Sequence, residues 1–361
     1  MGNPKEQVEA LAKEVDALTR QRQSLRQERE LAAHRGTAKA LAKEVDRLET
    51  LLADVSGLQE YVASHKPVAI EPRVKTGSRE ATGVLLLSDI HPEESVTPEK
   101  VSGLNEFSPA IASKRIDALI LGIRWYLRTI REREKGAGYK CYDFVLALLG
   151  DLISNTIHPD LAESVQMGPA DALIFTYELI ERVIEALLAD NEIERLIIPC
   201  CMGNHDRMTP KIRHQTKAET SLATIVYSFL AKQYRNNDRV HFDIARGNMT
   251  YTRIYGRMVR WTHGDDIKYN GGVGGLTIPM RKAIDSWNRS IDAELTCCGH
   301  WHEVTDHRDF VVNGSLIGYT AFSQAIKARF EPAAQAAFVL DKERGKRLFT
   351  PLQVQDCERW S

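Results

Sequence analysis

Five short polar pieces, each closing an apolar run, constrain the fold of this chain more than any other feature. They are Asp-Ile-His at 89–91, Gly-Asp at 150–151, Gly-Asn-His-Asp at 203–206, His-Gly at 263–264 and Gly-His-Trp-His at 299–302. The runs before them, 83–88, 144–149, 196–202, 258–262 and 295–298, are short and apolar or β-prone, as strands of a covered sheet are. The pattern predicts strands whose C-terminal ends bring carboxylate, imidazole and amide groups together, where open α/β sheets put their chemistry. Segments 108–135, 169–190 and 218–234 carry apolar residues at helical spacing and are expected to cover the sheet. Further short β-like runs follow at 240–244, 249–254, 257–262, 310–312 and 336–340.

Composition narrows the class without naming a partner. The 48 basic residues face 49 acidic ones, so net charge argues for no polyanion. Six cysteines include two vicinal pairs, 200–201 and 297–298, inside strand candidates, with no Cys-x-x-Cys spacing. They read as reduced core residues. The N-terminal residues lack a signal-peptide core, and no apolar stretch approaches the ~20 residues of a membrane span. A soluble, cytoplasmic protein with no membrane partner is expected.

Residues 1–64 are polar and helical in pattern. Val8, Leu11, Val15, Leu18 and Leu25, then Leu41, Val45, Leu48, Leu52 and Val55, follow the three-and-four spacing of a coiled coil. The hexapeptide Leu-Ala-Lys-Glu-Val-Asp occurs at 11–16 and again at 41–46, with Gly36 between as a breaker. So narrow an apolar stripe is marginal alone, so it needs a partner. Either it pairs between subunits, making a homo-oligomer, or it folds back as a hairpin. Residues 65–82, with two prolines and a glycine, read as a linker. A catalytic domain is expected over 83–345 and a tail over 346–361.

The order Asp-x-His, Gly-Asp, Gly-Asn-His-Asp, His, Gly-His-x-His resembles the calcineurin-like metallophosphoesterases, from about residue 82 to residue 340. The resemblance implies an α/β/β/α sandwich, here with the N-terminal helical coiled coil as an extension. It also implies two divalent metal ions. Such a pair, ~3.5–4 Å apart, activates a bridging water and clamps the phosphoryl oxygens during ester hydrolysis. By the same resemblance Asp151 bridges the ions, Asp89, His91 and His302 complete one site, and Asn204, His263 and His300 complete the other. The spacing of His300 and His302 suits an extended segment, on which residues two apart point the same way. His205 is not a ligand in the family but lies near the leaving group, as a general acid. Asp206 is expected to orient it. The thiol-free set suits Mn²⁺, Fe²⁺ or Zn²⁺, with manganese favoured by analogy with the nuclease members.

Substrate contacts are expected where basic residues flank these pieces. Arg207, Lys211, Arg213 and Lys217 form a run without an acid directly after Asp206, able to hold a phosphodiester chain by charge. A second run holds Arg246, Arg253, Arg257 and Arg260. His158 follows Asp151 closely enough to reach the cleft. Four glycines within 271–275 suit a mobile flap or an ordinary loop. The favoured reading is a metal-dependent phosphodiesterase cleaving nucleic acid, with DNA as the expected substrate in the nuclease manner of the family. The alternatives are an enzyme of small nucleotides or monoesters, its cleft roofed by segments 92–142 and 169–190, or a non-catalytic coiled-coil assembly protein.

Overall fold

A computed structural model describes residues 68–73, 79–132, 138–157, 163–268 and 275–355. The chain divides into one unit ending at Tyr61 and another beginning at Val62, and the described residues belong to the second. The expected coiled coil, His158 and most of the glycine-rich segment lie outside them.

Among the described residues two six-stranded sheets form. The first takes the order β12-β11-β2-β3-β4-β5, from β2 (Ala81–Leu87), β3 (Asp143–Leu148), β4 (Arg195–Cys200), β5 (Val240–Ile244), β11 (Ala334–Asp341) and β12 (Gly345–Gln353). Its central strands β2 to β5 run parallel, while β11 and β12 add antiparallel neighbours at one side. Every residue of β2 and β3 is buried, which parallel strands covered on both faces require. The second sheet takes the order β1-β6-β7-β8-β10-β9. Its strands are β1 (Ala69–Ile70), β6 (Met249–Ile254), β7 (Arg257–Thr262), β8 (Leu295–Cys298), β9 (Thr305–Asp306) and β10 (Phe310–Val312).

Helices cover the outer faces. Helix α1 (Pro109–Arg131) starts where the Ser108 hydroxyl accepts the Ile111 N–H and Pro109 takes the first turn. Its stripe of Ala112, Ile116, Leu119, Ile123 and Ile130 is buried. Helix α1 packs on α2 (Pro169–Leu188) and β12, α2 packs on α3 (Leu222–Gln233), and α3 on β5. On the other side Met280 and Ile284 of α4 (Thr277–Asn288) pack against Cys298, Phe310 and Val312 of the second sheet. The α/β/β/α sandwich is therefore the architecture of this chain. Helix α2 also reaches the loop after Asp151, where the Thr176 hydroxyl donates to the Leu152 carbonyl at 3.4 Å.

Three segments differ from expectation. Strand β12 occupies half of the span expected as a tail, since Asp341 accepts the Glu343 and Arg344 N–H groups in a tight turn that folds it back on β11. Its mixed exposure is that of an edge strand, so its composition reads as tail. Strand β1 lies in the expected linker and pairs with β6. Helix α4 was not expected; it is short and half polar, and it buries Met280 and Ile284 with Ala283 and Trp287 packed beside them. The vicinal cysteines are buried free thiols, and burial pushes Cys201 up to about 12.

Candidate metal centre

The strand ends converge from both sheets. Beyond β2 and β3, the Asp89 and Ile90 N–H groups donate to the Gly150 and Asp151 carbonyls at 3.1 and 3.0 Å. Beyond β7, the His263 ring donates through Nδ1 to the Leu149 carbonyl at 2.7 Å, tying the second sheet to the first. Two groups result: Asp89, His91 and His302, and Asp151, His263 and His300, each with its ligand atoms within 4.8 Å of one another. Asn204 joins the second group, its Oδ1 3.1 Å from His263 Nε2. His263 Nε2 also lies 3.1 Å from Asp151 Oδ2, and His302 Nε2 lies 3.2 Å from Asp89 Oδ1.

Glycine in these pieces answers to crowding. A Cβ on Gly203 would sit 2.0 Å from Asp151 Oδ1, and one on Gly299 would sit 2.6 Å from Asp89 Oδ2. The Gly150 Cβ would meet the Gly203 nitrogen at 2.3 Å, at a φ of +85°. Any side chain there would separate the loops that bring the carboxylates in. The backbone is also strained at the polar residues themselves: Asp89, His91, Asp151, His300 and His302 all have φ between 47° and 71°. Non-glycine residues adopt this left-handed region uncommonly, and when held there they concentrate at functional sites. The extended-segment expectation for His300 and His302 is thereby corrected. Both residues are left-handed, and their imidazoles join different groups.

Neighbouring groups aim each donor. His91 Nδ1 lies 2.8 Å from the Ser154 hydroxyl, which in turn donates to Glu94. With Nδ1 of His91 and of His263 engaged by protein oxygens, Nε2 of each is left for the centre, the orienting arrangement that metal-binding histidines use. Asp89 accepts the Ser88 hydroxyl at 2.5 Å and the His300 N–H at 3.1 Å. Asp151 accepts the His205 N–H at 2.8 Å. Glu93 accepts the Ser154 and Asn155 N–H groups at 2.6 and 2.9 Å. Ser154, Glu93 and Glu94 were missed by sequence reasoning, because a supporting carboxylate two or three residues past a ligand has no spacing rule of its own.

Asp89, His91, Asp151 and His263 are buried, whereas Asn204, His205, His300 and His302 are half-buried and mark the open side. Charge follows from this enclosure. Burial and neighbouring imidazoles drive His91 down to about 3, and burial beside His263 drives His300 down to about 4. Burial works against a charged His263 too, but Asp151 outweighs it and lifts the imidazole to about 10. The Asp151 carboxyl is held well below its usual range against burial, chiefly by His263 and His205. Metal binding at these donors competes with their protonation. Nitrogen and oxygen donors without thiolate, two carboxylates and converging Nε2 atoms fit a pair of divalent ions.

His205 stands at the edge of this centre, its ring 5.3 Å from that of His91 in a T-shaped contact. Its Nδ1 lies 3.2 Å from the Ser154 carbonyl, to which it donates. Asp206 does something other than expected. Its buried carboxylate accepts the N–H groups of Asp151, Leu152 and Gly203 at 2.9, 2.9 and 2.8 Å. It clamps the second and third loops together, while the His205 ring donates to the Ser154 carbonyl. Burial and the Asp151 charge push the Asp206 carboxyl up to about 6.

The basic runs separate. Arg207 folds back onto the carbonyls of Asn204 and Thr209, while Lys211 and Arg213 are exposed beyond it. In the second run Arg260 is fully buried and donates to Thr296, Asn288 and the Ile291 carbonyl. Arg257 pairs with Glu294, and Arg253 donates to the Gly256 carbonyl. These three brace the second sheet and its turns.

No protein-family model matches the sequence, and no curated protein matches it. Among solved structures the chain is similar to a hypothetical protein from Pyrococcus horikoshii OT3, at 16% identity over 77% of this chain and 91% of that one, with a TM-score of 0.34. It is also similar to Entamoeba histolytica Vps29 complexed with Zn²⁺, at 11% identity over 75% and 99%, with a TM-score of 0.30. A predicted phosphoesterase from Streptococcus pneumoniae TIGR4 shares 12% identity over 76% and 98%, with a TM-score of 0.28. The two sheets, the outer helices and the order of the strand-end pieces agree with the calcineurin-like metallophosphoesterase fold.

Proposed function

We propose that this chain is a metal-dependent phosphoesterase that hydrolyses phosphodiesters, with nucleic acid as its substrate. The observation that carries the reading is the convergence of two Asp-His-His groups, with Asn204 beside one of them, on a single opening at the strand ends. Asp89, His91 and His302 would hold one divalent ion and Asn204, His263 and His300 the other, with Asp151 shared between them. When bound, such ions supply Lewis acidity and a nucleophilic water at neutral pH. The residues of the chain do the rest. Asp206 and the close approach of Gly150 to Gly203 keep the loops in register. Ser154 and Leu149 hold the imidazoles in one tautomer. His205, with Nδ1 engaged by the Ser154 carbonyl, presents Nε2 as the atom that protonates the leaving oxygen. Manganese is the working assignment, with iron or zinc compatible with the same donors. The heptad pattern of residues 1–64 supports a homo-oligomer built on those helices.

Incubation with Mn²⁺ and, separately, a labelled single strand, a duplex, bis-p-nitrophenyl phosphate and p-nitrophenyl phosphate tests the reading. Hydrolysis of the small diester and of at least one polymer is expected. Cleavage of the small diester alone defeats the nuclease assignment, activity on the monoester alone makes the chain a phosphatase, and no turnover of any of them defeats the phosphoesterase reading.

A further inference from the structure

Next to Asn204 the surface forms a small cavity lined by Asn204, Arg207, Arg213, Lys217, Thr220 and Ser221, among others. Ser221 is the residue that opens helix α3, yet its hydroxyl makes no capping hydrogen bond. That hydroxyl is buried without a hydrogen-bond partner, in a residue only 2% exposed. A buried hydroxyl left unpaired is costly, so its presence calls for an acceptor or donor that binds there. Ser221 stands at the N-terminal end of the twelve-residue α3, the end of a helix that favours an anion, with the Leu222 N–H already donated to the Asp206 carbonyl. Lys217, 6% exposed, is fixed in place by Asp265 at 2.6 Å. Arg213 makes no ion pair among the described residues and reaches the cavity from its exposed side.

We infer that this cavity is an oxyanion subsite for a phosphate other than the one being cleaved. The inference rests on the phosphoesterase reading for its purpose, though not for its binding chemistry. Asn204 belongs both to the cavity and to the second donor group. A phosphate in the subsite therefore lies beside the scissile one, as the next phosphate of a strand or of a polyphosphorylated nucleotide does. The Ser221 hydroxyl donates to one of its oxygens at the positive end of α3, and Arg213 closes over it with a charge-assisted pair. Substrates with one phosphate leave the subsite empty. Lys211, outside the cavity lining, takes no part.

The test uses the full-length chain stripped of metal, so that only the subsite is left to hold the ion. Inorganic phosphate is titrated and its binding read by calorimetry and by ³¹P line width. Saturable binding at one site is expected, weakened about tenfold, the worth of one charge-assisted hydrogen bond, by Arg213→Ala and by Ser221→Ala. Neither substitution removes a hydrogen bond made within the fold, so both proteins should stay folded by circular dichroism. Competition then reads the source. Displacement by oligothymidylate at lower concentration than by a nucleoside triphosphate assigns a strand, and the reverse order assigns a free nucleotide. Absence of saturable binding, or binding untouched by both substitutions, or phosphate displaced by neither competitor, overturns the inference. Turnover of bis-p-nitrophenyl phosphate with Mn²⁺ is measured beside it. Phosphate binding without turnover would sink the proposed activity and leave the subsite, and turnover without binding would do the opposite.

Discussion

At Gly203 the absence of a single methyl group decides whether two loops can meet. Gly203→Ala places a Cβ 2.0 Å from Asp151 Oδ1 and 2.1 Å from the Asp151 nitrogen, atoms that have nowhere to retreat because Asp206 holds the same backbone. Overpacking of this kind costs about 1–3 kcal/mol. Calorimetric metal titration of the variant should show weakened or lost binding, and unchanged affinity at both sites would refute the crowding argument. His205 makes the contrasting prediction. His205→Ala is expected to retain both metals by elemental analysis and to lose roughly 10²–10⁴-fold in kcat on a diester. A variant with full activity would remove His205 from proton transfer. These residue types were legible in the sequence because ligand chemistry restricts them. The role of Asp206 was not, since a carboxylate beside a histidine looks alike whether it faces the ring or the backbone.

Elements show a different limit. All five strands that carry the site were expected within a few residues of where they occur, and β8 over the same four residues. Apolar runs ended by glycine or aspartate are local signals. The second basic run was misleading because charge in a sequence carries no direction. Arg260 points inward between the rings of Tyr251 and Trp287, 5.5 and 5.4 Å from their centroids, and joins β7 to β8 and to the end of α4. Arg260→Met should lower stability to urea by roughly 2–4 kcal/mol, since it leaves buried acceptors unpaired. It should leave the salt dependence of oligonucleotide binding unaltered. A shallower salt slope at unchanged stability would return Arg260 to the substrate surface.

Over the whole molecule, the two sheets share one centre, so metal binding is coupled to how they sit together. His263 from the second sheet completes the group that Asp151 begins in the first. Ions that bind only the folded chain stabilise it by mass action. Saturating Mn²⁺ should raise the thermal midpoint by roughly 5 °C over the chelator-treated protein. The His263–Asp151 and His302–Asp89 pairs should keep the metal-free chain folded by circular dichroism. A midpoint insensitive to metal would argue against ions bridging the sheets. No described helix is long and apolar enough to cross a membrane. For assembly, removal of residues 1–64 is expected to lower the mass found by sedimentation equilibrium to that of a monomer. A monomer both before and after would end the oligomer proposal.

The sequence by itself determined the donor inventory, the strands that present it and their order, because ligand chemistry and strand periodicity act over a few neighbouring residues. The resemblance already implied how the donors divide between two ions; only the tertiary structure decided that His300 and His302 sit on left-handed backbone, and that Asp206 clamps loops instead of orienting a ring. It also showed which arginines brace the sheet and that Ser221 has a buried, unpaired hydroxyl beside three cations. Several of those depend on which groups lie across a gap of about 3 Å, and contacts between residues 55 to 211 positions apart leave no trace in local spacing.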